Sequence, residues 1–292
     1  MSVPTTIRTT LSEATTALQS TSSSARLDAE LLLGHVTGWS RAQLLAHATD
    51  TISPDMVAQY HTLVERRSRG ESVAYVTNHR EFYGHDFYVD ARVLVPRPET
   101  ELLVDCAIAA ARILNPPVIV DVGSGSGCIG VALALAGAAP TIIGTDVSAD
   151  ALAVSDINRD RHGLNAQMHL MHADLCTACV PVSFIVSNPP YVMDDDGNAD
   201  VRLYEPHLAL FGGDPDGAAV YRRFAQLLPH HLRSPGYFAC EIDPRQAVIV
   251  CALLQTAFPA GRVVLHHDLA GHARVVELWL ASSRELTERS HR

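Results

Sequence analysis

Two short stretches carry residues that could do chemistry. The first is Asn188-Pro189-Pro190-Tyr191, which follows the apolar run Phe184-Ile185-Val186. Neither proline has an N–H to give to a sheet ladder, so a strand must end there. A turn opened by Asn-Pro accounts for that much. The prolines also stiffen the loop and fix two acceptors, the Asn188 side-chain oxygen and the Pro189 carbonyl. Together these can take both hydrogens of an NH₂ group whose lone pair is delocalised, while the Tyr191 ring offers a surface for a planar group. Such a nitrogen is a poor nucleophile. Gripping both N–H bonds with a methyl sulfonium in line favours the pyramidal transition state.

The second stretch is the glycine run of "DVGSGSGCIG", Asp121–Gly130. Glycines after a strand let backbone approach a ligand, and a following helix start favours polar or anionic groups. Gly125 to Gly130 fits the dinucleotide pattern, so NAD and S-adenosylmethionine both remain open on this motif alone. Three features favour S-adenosylmethionine. Asp121 precedes the glycines, where a carboxylate suits a cationic amino group. Gly123, Gly125 and Gly127 alternate with Ser124 and Ser126, which gives a flat loop against an amino-acid moiety. Asp146, beside Val147, ends the next strand about 20 residues on and is placed for ribose hydroxyls, a feature common to both cofactors. Asp174, followed by Leu175, lies where an adenine edge would fall. A lone Asp at any of these places is ordinarily a helix cap; three acids at three successive strand ends are harder to explain so.

These residues need strands to hold them in one crevice. From Val118 onward "VIVDV", "TIIGTD", "AQMHLMHAD", "VSFIVSN", "GYFACEI", "RVVLHH" and "RVVELWL" read as strands, most separated by helical pieces. That alternation predicts an α/β fold with a doubly wound, mostly parallel seven-stranded Rossmann-like sheet, its last two strands a hairpin with one strand antiparallel. Ligands of such sheets sit outside the strand carboxyl ends, so the Asn-Pro-Pro-Tyr loop and the glycine loop face the same crevice. Upstream the period is helical. "SARLDAELLLGHVTG" starts at Ser24 as a cap, and "SPDMVAQYHTLVERRSRG" has Ser53 as cap, Pro54 in the first turn and Gly70 after the end. "REFYGHDFYVDARVLVP" around Gly84-His85 predicts a β-hairpin. The expected divisions are residues 1–74 as a helical substrate-docking domain, 75–96 as a hairpin linker and 97–292 as the catalytic domain.

Composition narrows the function classes. The 292 residues are 47% hydrophobic with a net charge of −10, and all 22 Lys+Arg positions are Arg. No basic stripe of the kind that binds nucleic acid stands out. Cys106, Cys128, Cys240 and Cys251 lie in apolar segments, as core residues do. Cys176 and Cys179 have the spacing of half a zinc knuckle with no second pair, so no metal is expected. No disulfide framework, apolar leader or membrane-length run is evident, and the expectation is a cytoplasmic protein without membrane contact.

At this point the sequence resembles a known family. A glycine loop of this type with Asp/Asn-Pro-Pro-Tyr/Phe marks methyltransferases acting on planar nitrogens. "YVTNHREFYGHDFYVDARVLVPRPETELLVD" (Tyr75–Asp105), "YEPHLALFGGDPDGAAVYRRF" (Tyr204–Phe224) and "HHDLAGHARVVE" (His266–Glu277) resemble the HemK/PrmC-type peptide chain release factor glutamine methyltransferases. The resemblance implies S-adenosylmethionine at Gly123 to Gly127 and Asp146, and S-adenosylhomocysteine as product. It implies a glutamine amide at Asn188, Pro189, Pro190 and Tyr191, and class I release factors as partners, methylated at the Gly-Gly-Gln glutamine to modulate translation termination. The family often has an aromatic residue where Leu175 stands. Glutamates of Arg97–Glu101 ("RPETE") and Glu241 suit either a helix-start or core role or a wall of the site. The acidic loop Met193–Asp200 has no assigned role. The competing readings are an adenine-N6 nucleic-acid methyltransferase, which shares the tetrapeptide but would need a basic groove, an NAD-dependent oxidoreductase, which leaves Asn-Pro-Pro-Tyr unexplained, and a non-catalytic binding module.

Overall fold

The computed structural model describes residues 5–193 and 203–280. The chain divides into two compact units, Met1–His79 and Arg80–Arg292. The acidic loop falls almost wholly outside the described residues.

The first unit is helical: Ile7–Leu18, Ala25–Thr37, Arg41–Ala46, Pro54–Ser68 and Val73–Thr77. Leu18, Ala29, Leu32, Leu33 and Tyr60 are fully buried in its core, and the Tyr60 hydroxyl donates to the Ala29 carbonyl at 3.0 Å. Ser53 caps its helix as the sequence predicts, accepting from the Met56 N–H at 3.3 Å. Ser24 does not cap. Its hydroxyl donates to Asp28 Oδ1 at 2.9 Å, because a carboxylate one turn along offers a charged acceptor that outcompetes a cap.

The second unit opens with strands β1 (Arg80–Phe82) and β2 (His85–Phe87), joined by Tyr83 and Gly84, both at positive φ. That is the two-residue turn whose twist suits a hairpin. Seven strands follow: β3 (Val118–Val122), β4 (Thr141–Asp146), β5 (Met168–His172), β6 (Val182–Ser187), β7 (Leu232–Glu241), β8 (Arg262–His267) and β9 (Ala273–Leu280). They lie in the order β5-β4-β3-β6-β7-β9-β8, with β9 antiparallel to both its neighbours and the other pairs parallel. The fold is the doubly wound, mostly parallel sheet expected from the strand–helix alternation. Helices pack both faces, giving two cores. One contains Phe184 and Tyr237, whose rings lie 4.6 Å apart; the other contains Phe224 and Phe238 at 5.1 Å. Each such ring contributes roughly 1.5–3 kcal/mol through burial.

Register places the chemistry. The chain order reverses at β3, which has β4 on one side and β6 on the other. Val122 pairs with Thr145 of β4 and with Ser187 of β6. The next residue along each strand is therefore Gly123, Asp146 or Asn188, and three strand ends meet at the switch point where such sheets bind ligands. The Ser187 hydroxyl donates to the Val122 carbonyl at 2.8 Å and ties the β3 and β6 ends together.

Candidate active site

The glycine loop is shaped by backbone hydrogen bonds that only small residues permit. The N–H groups of Gly123 and Ser124 both donate to the Thr145 carbonyl, at 2.8 and 2.9 Å. Gly123, Gly125 and Gly127 all have positive φ, which an L side chain adopts at a cost. Gly127 has a second constraint, since a Cβ there would stand 2.5 Å from Ser155 Oγ. The helix Cys128–Leu135 starts directly after it. Asn158, fully buried, donates from Nδ2 to the Ser126 carbonyl at 2.8 Å and to Tyr88 O at 2.9 Å, so the loop is clamped from behind.

Asp146 bridges two loops. Its Oδ2 accepts from the Gly125 N–H and its Oδ1 from the Ser148 N–H, each at 2.9 Å. Burial raises its pKa, and these backbone donors oppose the rise. Asp121 is placed differently from the expectation of a carboxylate facing a ligand. It is wholly buried beneath the loop, where Oδ2 accepts from Ser124 Oγ at 3.0 Å and from the Gly130 N–H at 3.1 Å. Burial lifts it to about 7, against those two donors and with a small further push from Asp146. The chemistry of position explains this: a residue facing into a parallel sheet points at the helix covering it, not at the strand end.

A cavity opens over the loop. Gly123, Ser124, Gly125 and Ser126 form one wall, and Asp146, Val147, Asp174 and Leu175 form the next. Asn188 and Pro190 line the far side. Asp174 is half exposed there and paired with Arg223 at 2.6 Å. Asp121, Gly127, Pro189 and Tyr191 are not in the wall. Tyr191 packs with the second core, and its hydroxyl donates to Glu241 Oε1 at 2.8 Å. A buried phenol needs an acceptor, and the end of β7 supplies one. Glu241 is itself buried, which raises its pKa, while the Thr100 and Tyr191 hydroxyls pull it down.

The Asn188 amide is held asymmetrically. Nδ2 donates to Thr100 Oγ1 at 3.1 Å, and Oδ1 is buried with no partner. Thr100 ends the short turn Pro98–Thr100 before the helix Glu101–Leu114 and also lines the cavity. The loop after Asn188 is pressed against glycines. A Cβ on Gly212 would lie 2.8 Å from the Pro190 carbonyl, and one on Gly217 would lie 2.4 Å from the Tyr191 carbonyl. Gln246 Nε2 donates to Tyr191 O and to Asp216 O, each at 2.9 Å. Glu205 accepts from Arg97 at 2.5 Å and from the Val95 N–H at 3.2 Å, which fixes the neighbouring wall formed by Pro206, Leu208 and Ala209.

Comparison with known proteins now has geometry to rest on. Residues 9–77 match the family described as the PrmC N-terminal domain, and residues 99–203 the methyltransferase small domain. A release factor glutamine methyltransferase of Chlorobaculum tepidum is 38% identical over 257 residues, covering 83% of this chain and 87% of that one. Another, from Bordetella pertussis, is 39% identical over 257 residues, covering 86% and 93%. The chain belongs to the release factor glutamine methyltransferase family. A solved T. thermophilus 16S rRNA methyltransferase, in complex with AdoMet and guanosine, aligns with a TM-score of 0.51 at 18% identity over 69% of this chain and 49% of that one, a likeness of fold. Family membership covers both units, so the helical unit is a family feature as well as the sheet.

Several residues of the site were invisible to local pattern. Thr100, Asn158, Gln246 and Glu205 act through partners far along the chain. Gly212 and Gly217 of "FGGDPDG" lie against the carbonyls of Pro190 and Tyr191, a contact that local sequence does not reveal.

Proposed function

We propose that this chain transfers a methyl group from S-adenosylmethionine to the side-chain amide nitrogen (N5) of the Gly-Gly-Gln glutamine in class I peptide chain release factors, and so modulates translation termination. The observation that carries the reading is the Asn188 amide: nitrogen engaged, oxygen buried and unpartnered at the edge of the cavity.

The residues fit the cofactor. The three positive-φ glycines add no side chain to the loop at their positions, and the nearest atom to a Cβ on Gly125 is 4.0 Å away. An amino-acid moiety can therefore lie on the Gly123–Gly127 backbone. Asp146 keeps acceptor capacity beyond its two backbone donors and is the group to receive ribose hydroxyls. Asp174 and Leu175 border the adenine region. Bound there, S-adenosylmethionine supplies an electrophilic methyl on a positively charged sulfur.

The protein's own contribution is positioning and charge. Asn188 Oδ1 and the Pro189 carbonyl each accept one N–H of the glutamine amide. These bonds hold the nitrogen still and strengthen as it pyramidalises and its hydrogens grow more acidic, which lowers the barrier without a strong base; one of the two N–H protons is given up to solvent once the nitrogen has taken the methyl group. Pro190 and the Glu205-anchored wall exclude water from the reacting nitrogen. Asp121 acts from beneath by holding Ser124 and the start of the following helix. The helical unit is a docking surface for the folded release factor, raising the local concentration of its loop. The net charge of −10 disfavours a nucleic-acid substrate. No described helix is long and apolar enough to cross a membrane; the enzyme works in the cytoplasm, where release factors are made and used.

The test is tritiated methyl transfer from S-adenosylmethionine to a purified release factor, to the same factor with its Gly-Gly-Gln glutamine replaced, and to adenine-containing duplex DNA. Label on the first alone supports the proposal. Label on DNA with none on protein establishes an adenine-N6 enzyme instead.

A further inference from the structure

An asparagine amide can sit two ways round, and only one presents an acceptor to the substrate. The Asn-Pro-Pro-Tyr backbone does not choose between them. Thr100 alone is not enough either, because a hydroxyl both donates and accepts and would pair with either end of the amide.

Glu241 supplies the asymmetry that Thr100 lacks. It is buried at the end of β7, and a carboxylate only accepts. Its Oε1 takes the Tyr191 hydroxyl at 2.8 Å. Oε2 is buried with no hydrogen-bond partner, and the Thr100 hydroxyl is one of the two that pull this carboxyl's pKa down. A Thr100 proton turned toward that orphaned oxygen leaves Oγ1 only to accept, and Oγ1 does accept from Asn188 Nδ2 at 3.1 Å. Asn188 Oδ1 is then turned to the substrate side, unpartnered. The carboxylate meets Tyr191 directly, and Thr100 meets Asn188, so the two ends of the tetrapeptide converge on Glu241 and Thr100.

We propose that Thr100 is a positioning residue, oriented by Glu241, that locks the Asn188 amide with its oxygen toward the accepting nitrogen. The proposal rests on the reading of the site given above and names what sets its polarity. Thr100→Val removes the hydroxyl with little change of shape, and the amide is then free to invert. Turnover should fall by about 10- to 100-fold, the scale of a misplaced reacting contact. The affinity for S-adenosylmethionine, measured by calorimetry, should match the wild type, since Thr100 holds the acceptor side. Thr100→Ser keeps the hydroxyl and should restore turnover. Glu241→Gln supplies a donor to Thr100, allows the inverted amide and should also lower turnover.

A second readout needs no activity. In protein labelled with ¹⁵N at asparagine, the Asn188 side-chain NH₂ pair should shift and broaden in Thr100→Val and regain the wild-type signal in Thr100→Ser. Unchanged signals in Thr100→Val, full turnover in that variant, or failure of serine to rescue would each overturn the proposal. A wild type that binds S-adenosylmethionine yet leaves release factor unmethylated would instead overturn the proposed function, and the resonance measurement would still decide the role of Thr100.

Discussion

Asp121 offers a prediction with a magnitude. In the folded chain its carboxyl titrates at about 7, against an ordinary 3.8, because burial penalises the anion more than Ser124 and Gly130 favour it. Between those two values the folded state keeps a proton that the unfolded state has released. Stability from this group is therefore present at low pH, falls as pH rises through the interval, and levels off about one unit above 7. At about 1.4 kcal/mol per pH unit, and with the proton half lost by pH 7, the change from pH 5 to pH 7 is roughly 2 kcal/mol. Asp121→Asn keeps the shape and cannot ionise, so its urea-unfolding free energy should lack this slope. The measurement is the difference between wild type and variant across pH 5 to 8, in which titrations not coupled to Asp121 cancel. The difference should move by roughly 3 kcal/mol in favour of the variant as pH rises across that range. Parallel profiles would show that Asp121 is ionised throughout, and the burial argument would be wrong.

Asn188→Ala should lower turnover by ~10²–10³, the loss expected when one preorganised contact to a transition state is removed, while calorimetry shows unchanged S-adenosylmethionine affinity. Gly125→Ala and Gly127→Ala should separate: both carry the strain of a side chain at positive φ, but the first meets no nearby protein atom closer than 4.0 Å and should lose the cofactor with the smaller fall in melting temperature, whereas the second would also put a methyl 2.5 Å from Ser155 Oγ and should melt lower still. The reverse pattern would displace the cofactor from the loop. Removing residues 1–79 should raise KM for whole release factor and leave slow methylation of a Gly-Gly-Gln peptide nearly unchanged; equal losses on both substrates would reduce the helices to support for the fold.

Much of this architecture is written in local pattern. Apolar runs ending in Asp121-Val122, Asp146 and Ser187 read as strands because β3, β4 and β6 are covered on both faces, and the crevice rule then brings their ends together. The antiparallel β9 followed from the lack of a helix between the last two runs. What local pattern lacks is pairing at a distance. Thr100 and Asn188 are 88 residues apart, and the clamp from Asn158 to Tyr88 spans 70. Thr100 reads from sequence as one more residue of a helix start, a role it also has. Tyr191 illustrates a different limit. Its ring suits a planar ligand on chemical grounds, yet its hydroxyl demands a buried acceptor, and Glu241 draws it into the core. Asp121 is similar: alternation along β3 determines which way it faces, and that depends on which layer covers the strand.

The central claim is that Asn188 presents a glutamine amide to the methyl donor. Its most direct test is fragmentation mass spectrometry of a purified class I release factor after incubation with this enzyme and S-adenosylmethionine. The account predicts one added methyl on the side-chain nitrogen of the Gly-Gly-Gln glutamine, absent when Asn188→Ala replaces the wild type over the same time. A methyl found on another residue, or on that glutamine at equal rate with the Asn188 variant, would contradict it.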